Sequence, residues 1–92
     1  MKINSVIVIE EDNHGLIGIA ETYADVVDFL IQWKWLDEDY EVYVDSYGNT
    51  EPIKKQLGKD WKAILSKWTQ TKFNEYFEGC FFLDEYKLHR AG

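Results

Sequence analysis

Apolar residues change their spacing several times along this 92-residue chain, and each change marks an element. Residues 3–9, INSVIVI, are β-branched at five of seven positions and lack helical spacing. They predict a central strand whose VIVI segment is buried on both faces. The polar run EEDNHG ends in glycine and suits a hairpin loop, and LIGIA, residues 16–20, supplies the returning strand. Thr22 and Asp25 have capping-box spacing and open a helix that the pattern carries to about Leu36. Tyr23, Val26, Val27, Leu30, Ile31 and Trp33 fill its apolar arc, and Asp25, Asp28 and Gln32 form a narrow wet stripe.

Further on, Tyr40, Val42 and Val44 alternate with Glu41, Tyr43 and Asp45, the period-two signature of a half-buried edge strand, closed by the turn residues SYGNT. Thr50 caps a short helical turn with Pro52 near its start and Ile53 and Leu57 on one side, and Gly58 ends it. Trp61, Ile64, Leu65 and Trp68 recur with the clearest helical spacing in the chain. Thr71 starts a final turn or two with Phe73 and Phe77 stacked, and Gly79 releases the chain into a last strand, CFFLDEYKL. No repeat or linker interrupts the pattern. Residues 1–92 therefore read as a single α+β domain with a dispensable tail at 89–92. Its small antiparallel sheet combines the N-terminal hairpin with edge and C-terminal strands, and helices pack on one face.

Charge changes the picture more than bulk composition does. The net charge is −7, with twelve acids against Lys2 and Lys34 up to Glu51 (−10) and five acids against eight bases from Pro52 onward (+3). A negative field repels phosphates and anionic lipid and speeds encounter with a basic partner, so direct nucleic-acid or membrane binding is disfavoured. Cys80 is the only cysteine and cannot form an internal disulfide, which fits a reducing cytoplasm. The apolar run near the N-terminus is too short for a signal segment or a bilayer span.

Catalytic chemistry finds little purchase. EEDNH, residues 10–14, gathers three carboxylates and His14 in one loop, yet the spacing matches no standard metal site, and turn chemistry accounts for it. Asp37, Asp39 and Glu41 copy the start of a calcium loop, but Val42 stands where glycine is needed and Gly48 where a bidentate Glu belongs. Cys80 sits between glycine and two phenylalanines, the setting of a buried small hydrophobe more than of a nucleophile paired with His14 or His89. No serine lies in a nucleophile elbow and no glycine-rich phosphate loop is present. The expectation is a non-enzyme with no cofactor and no metal.

The candidate binding residues are Asp25, Asp28, Trp35, Asp37, Glu38, Asp39, Glu41, Tyr43, Asp45 and Tyr47. Five of the nine residues from Asp37 to Asp45 are acidic, and Trp35, Tyr40, Tyr43 and Tyr47 flank or interleave them, as aromatics do at interface hot spots. If the first helix lies beside the strand at 40–45, these carboxylates and Glu21 form a row at roughly the spacing of backbone phosphates. Small size, an acidic half, many aromatics, one cysteine and no catalytic motif together resemble the small acidic inhibitors of bacteriophages and mobile elements, including DNA-mimic anti-restriction and anti-CRISPR proteins. The resemblance is one of layout over the whole chain, with no shared motif and no residues carried over. It implies an inhibitor, monomeric or weakly dimeric, working in a host bacterial cytoplasm. Its acids would occupy the basic groove of a nuclease such as a type II CRISPR effector, with Trp35, Tyr43 and Tyr47 as packed anchors. The alternative is a small cytoplasmic adaptor that binds a protein partner or itself through an edge strand and aromatic patch. A metal-dependent function at the EEDNH loop is the third.

Overall fold

A computed structural model describes residues 5–87. The predicted strand start at residues 3–4, His89 and the tail at 89–92 lie outside them. The first apolar run forms β1 (Ser5–Glu11), which pairs antiparallel with β2 (Gly15–Ala20) on one side and β5 (Phe81–Lys87) on the other. β1 is central, as predicted. Gly15 carries φ of 71°, a left-handed conformation that glycine adopts without cost, and so closes the hairpin.

Alternation along the strands divides the sheet into two unlike faces. Ile7 and Ile9 of β1, Ala20 of β2, and Phe81 and Leu83 of β5 are buried beneath the helices. Val6 and Val8 point the other way and are only half-buried, because no helix covers that side. Burial of the VIVI segment is thus one-sided.

Helix α1 (Tyr23–Gln32) packs across β1 and β2 with Val26, Val27 and Leu30 inward. Thr22 caps it as expected, its hydroxyl accepting from the Asp25 N–H at 3.1 Å. The helix stops four residues before Leu36. Lys34 takes φ of 62°, its N–H donates to Ile31 C=O at 3.1 Å, and the Trp35 N–H donates to Leu30 C=O at 2.8 Å. This is a Schellman stop with lysine in the place usually held by glycine.

Residues 40–45 do not join the main sheet. Only Glu41–Tyr43 form a strand, β3, and it pairs antiparallel with β4 (Thr50–Pro52) in a separate two-stranded ribbon. Val42 is buried and Tyr40 half-buried, as the alternation predicts, whereas Val44 is exposed beyond the strand end. Three short helices follow: α2 (Ile53–Leu57), α3 (Trp61–Ser66) and α4 (Gln70–Tyr76). Trp61 and Leu65 of α3 pack on α1. Phe73 and Phe77, with ring centres 4.6 Å apart, anchor α4 to the core, and Tyr40 and Phe81 continue the aromatic stack. Among the described residues no polar or charged residue is buried, and no helix is long and apolar enough to cross a membrane.

Candidate functional site

Pairing of β5 with β1 carries α4 to the closed end of the hairpin, where Glu10 and Glu11 lie opposite Phe82 and Phe81. The Asp12 N–H donates to Cys80 C=O at 2.9 Å and ties the hairpin turn to the start of β5. Between these elements opens a cleft of about 730 Å³. Five carboxylates, from Glu10, Glu11, Asp12, Glu75 and Glu78, line it, together with Cys80, Phe81, Phe82 and the side chains of Gln70, Thr71 and Asn74. No Lys, Arg or His is among the lining residues.

Glu11 alone of the five is satisfied locally. Its Oε1 accepts from His14 Nδ1 at 2.6 Å and from the Asn13 N–H at 2.9 Å, and the His14 bond above all holds its pKa below the ordinary carboxylate value. The ring of His14 in turn meets Trp35 edge-on at 5.0 Å. Glu10, Asp12, Glu75 and Glu78 have no ion pair and no side-chain hydrogen bond among the described residues. Such a site has unspent attraction for a cationic group, and Phe82 offers it an aromatic face.

The acids chosen from the sequence meet a different environment. Asp37 Oδ1 accepts from the Asp39 N–H at 2.9 Å, and Tyr40 N–H donates to Asp37 C=O at 3.1 Å, so the run opens with a side-chain-stabilised turn. Glu38 pairs with Lys54 Nζ at 3.2 Å while its C=O accepts from the Lys54 N–H. A groove of about 410 Å³ there collects Asp37 and Glu38 together with Lys54, Lys59 and Lys62. Asp45 organises its own loop, accepting from the N–H groups of Tyr47 and Asn49 and from Asn49 Nδ2 at 2.6 Å. The Asn49 side chain is the main reason that its pKa is lowered. Asp39, Glu41, Tyr43 and Tyr47 are exposed, Tyr47 by 90%. Trp35 is half-buried against the core.

Asp25 and Asp28 are exposed on α1, whose neighbours are α3, β2 and β1, whereas β3 neighbours β4. The expected alignment of the α1 acids with Glu41 and Asp45 therefore has no sheet to produce it. The sequence reading also missed Glu75 and Glu78, which stand in the basic half of the chain. Their spacing, with Glu75 on the side of α4 away from Phe73 and Glu78 in the turn just past the helix, was the available signal.

Cys80 is half-buried and free, beside Tyr40, whose hydroxyl pKa is raised chiefly by burial and then by that thiol. Among the described residues no group of three or more His, Cys, Asp or Glu side chains is arranged to hold a metal ion. The class defined by fold and site is thus a small α+β domain with an uncompensated acidic cleft. No family model matches the chain, and neither a curated protein nor a solved structure matches it.

Proposed function

We propose that this protein is a non-enzymatic inhibitor that docks its acidic surface onto the basic groove of a nucleic-acid-handling protein, such as a CRISPR or restriction nuclease, and keeps nucleic acid out. One observation carries the reading: among the described residues, four unpaired carboxylates share a cleft with exposed Phe82 and no cation. Groove arginines and lysines would enter the cleft, where several carboxylates attract each of them at once. Asp39, Glu41, Tyr43 and Tyr47 supply further contact on the ribbon. Long-range attraction sets a fast association rate that falls with salt.

The test is capture of partners from bacterial lysate, followed by a cleavage assay on any captured nuclease. Wild type is compared with a cleft variant (Glu10→Gln, Asp12→Asn, Glu75→Gln, Glu78→Gln) and with a variant changed at Asp37, Glu38, Asp39 and Glu41 to the matching amides. Loss of a salt-sensitive, DNA-competed partner in the cleft variant supports the reading; unchanged partners in both variants would sink it. The second reading, an adaptor for a protein partner, is favoured by a separate feature, the uncovered face of the main sheet. There Leu16 and Ile19 are each 61% exposed, Phe82 48% and Tyr86 52%.

A further inference from the structure

The main sheet has two edges, and the fold treats them oppositely. Along β5 the outward backbone groups are taken up by α4 and the residue following it. Phe81 N–H donates to Phe77 C=O at 3.1 Å, Leu83 N–H to Asn74 Oδ1 at 2.7 Å, and Glu85 N–H to Gln70 Oε1 at 2.9 Å. Asn74 Nδ2 returns a bond to Leu83 C=O at 2.9 Å. Such an edge is sealed against another strand.

β2 has no counterpart of this seal. Among the described residues no side chain or backbone group bonds to its outer edge. Hydrogen-bond direction alternates along an antiparallel strand. Phe81, Leu83 and Glu85 point out from β5, so Asp84 bonds to Val8, Ile7 and Ile9 bond toward Ala20 and Gly18, and Ile19 presents its N–H and C=O outward. The strand, GLIGIA, has no charge and no proline, two of the devices that protect an edge, and its pairing with β1 is regular from Gly18 to Ala20, away from the irregularity opposite Ile9 and Glu10. On the same face Ile19 lies beside Val8 and Val6 beside Tyr86, and Glu10 stands between Leu16 and Phe82, so exposed apolar residues alternate with acids there.

Charge decides the occupant. From Ile3 to Trp33 the chain holds six acids and no Lys or Arg. Glu10 and Asp12 stand near one end of β2 and Glu21 at the other, and the open face adds Asp84. A second copy would set like charges against one another. We infer that the outer edge of β2 receives an extended segment of a protein partner, with apolar residues alternating along it and Lys or Arg at both ends, as a fourth strand of the sheet. Main-chain bonds along the edge supply affinity. The apolar side chains lie beside Leu16 and Ile19, and the terminal cations meet Glu10, Asp12 and Glu21. This docking surface shares Glu10, Asp12 and Phe82 with the acidic cleft, but its backbone edge at Ile19 lies outside the cleft.

The test uses the full chain and a synthetic peptide of alternating valine and threonine with paired lysines at each end. Amide exchange should slow at Ile19 when the peptide is added. Ile19→Pro, which removes the outward N–H, should weaken binding by roughly tenfold or more relative to Ile19→Ala, which also loses the isoleucine side chain but keeps that N–H. The same peptide ending in glutamates should bind no better than the proline variant. A variant changed only at Glu75 and Glu78, both to Gln, should bind the lysine peptide as wild type does and still show slowed exchange at Ile19, which separates this proposal from the cleft reading. Slowed exchange at Ile19 that instead grows with protein concentration and needs no peptide assigns the edge to a second copy and overturns the proposal. So does peptide binding that leaves Ile19 exchange unchanged.

Discussion

Two runs of three carboxylates, Glu10 to Asp12 and Asp37 to Asp39, look alike in the sequence, and the fold gives them opposite surroundings. The first is joined by Glu75 and Glu78 in a cleft without a cation. The second is met by Lys54, Lys59 and Lys62, and Glu38 is already paired. The lesson is that the local charge of a run does not tell how much attraction it has left to offer. That quantity depends on what distant elements bring to it, and here α4 and the turn after it bring acids while α2, the turn after it and α3 bring lysines.

The strongest way to break the contrast is to remove the anchor that holds α4 in place. Phe77 is buried and touches Phe73, Tyr76, Tyr40 and Phe81. Phe77→Ala should cost about 3–5 kcal/mol in urea unfolding, and the cleft should lose its affinity for cations along with its helix. Next comes direct neutralisation. With an oligo-arginine peptide at low salt, the four-fold cleft variant should bind roughly tenfold or more weakly, whereas amides at Asp37, Glu38 and Asp39 should weaken binding by less than about threefold. Equal losses by anisotropy would erase the distinction.

Acid should act on the fold as a whole. Glu11, Asp45 and Glu85 are held low chiefly by hydrogen bonds from His14, Asn49 and Tyr23, and Glu51 by Lys55. Their carboxyls bind protons less readily folded than unfolded, so the stability they add is present above the ordinary carboxylate range and disappears as pH falls through the lowered values. Thermal melts should therefore show Tm falling below about pH 4. In alkali the sign reverses for Tyr23, whose pKa burial and the Glu85 bond push up to about 12. Its contribution is complete below the ordinary tyrosine value and is lost as pH climbs through the raised one. The smallest effect concerns the turn that delivers Asp37 to the lysines. Lys34→Gly should relieve the left-handed strain and raise stability by about 0.5–1 kcal/mol, leaving cation binding unchanged.

Much of the fold was legible because its signals are local. β-Branched and apolar runs bounded by turn residues marked β1, β2 and β5, Thr22 marked the start of α1, and the Phe73 and Phe77 pair marked α4. The early stop of α1 escaped because Lys34, not glycine, takes the left-handed position. Thr50 to Pro52 gave no strand signal, since β4 is defined by its partner Glu41–Tyr43 and little else. The candidate site was legible only in half. Glu10, Glu11 and Asp12 were visible as an acidic loop, but Glu75 and Glu78 reach them only through the pairing of the first strand with the last, which no local pattern encodes. The sealed edge was equally hidden, because it depends on where the amides of Gln70 and Asn74 fall against β5.

The most direct test of the cleft is a titration of the ¹⁵N-labelled protein with a short oligo-arginine peptide, following backbone amides one by one. The account predicts that Glu10, Asp12, Glu75 and Glu78 shift first and saturate together, that salt suppresses the response, and that Asp37 to Asp39 lag behind. If Asp37 to Asp39 shift as early and as far, or the cleft amides stay still, the acidic cleft is not the cation-binding site.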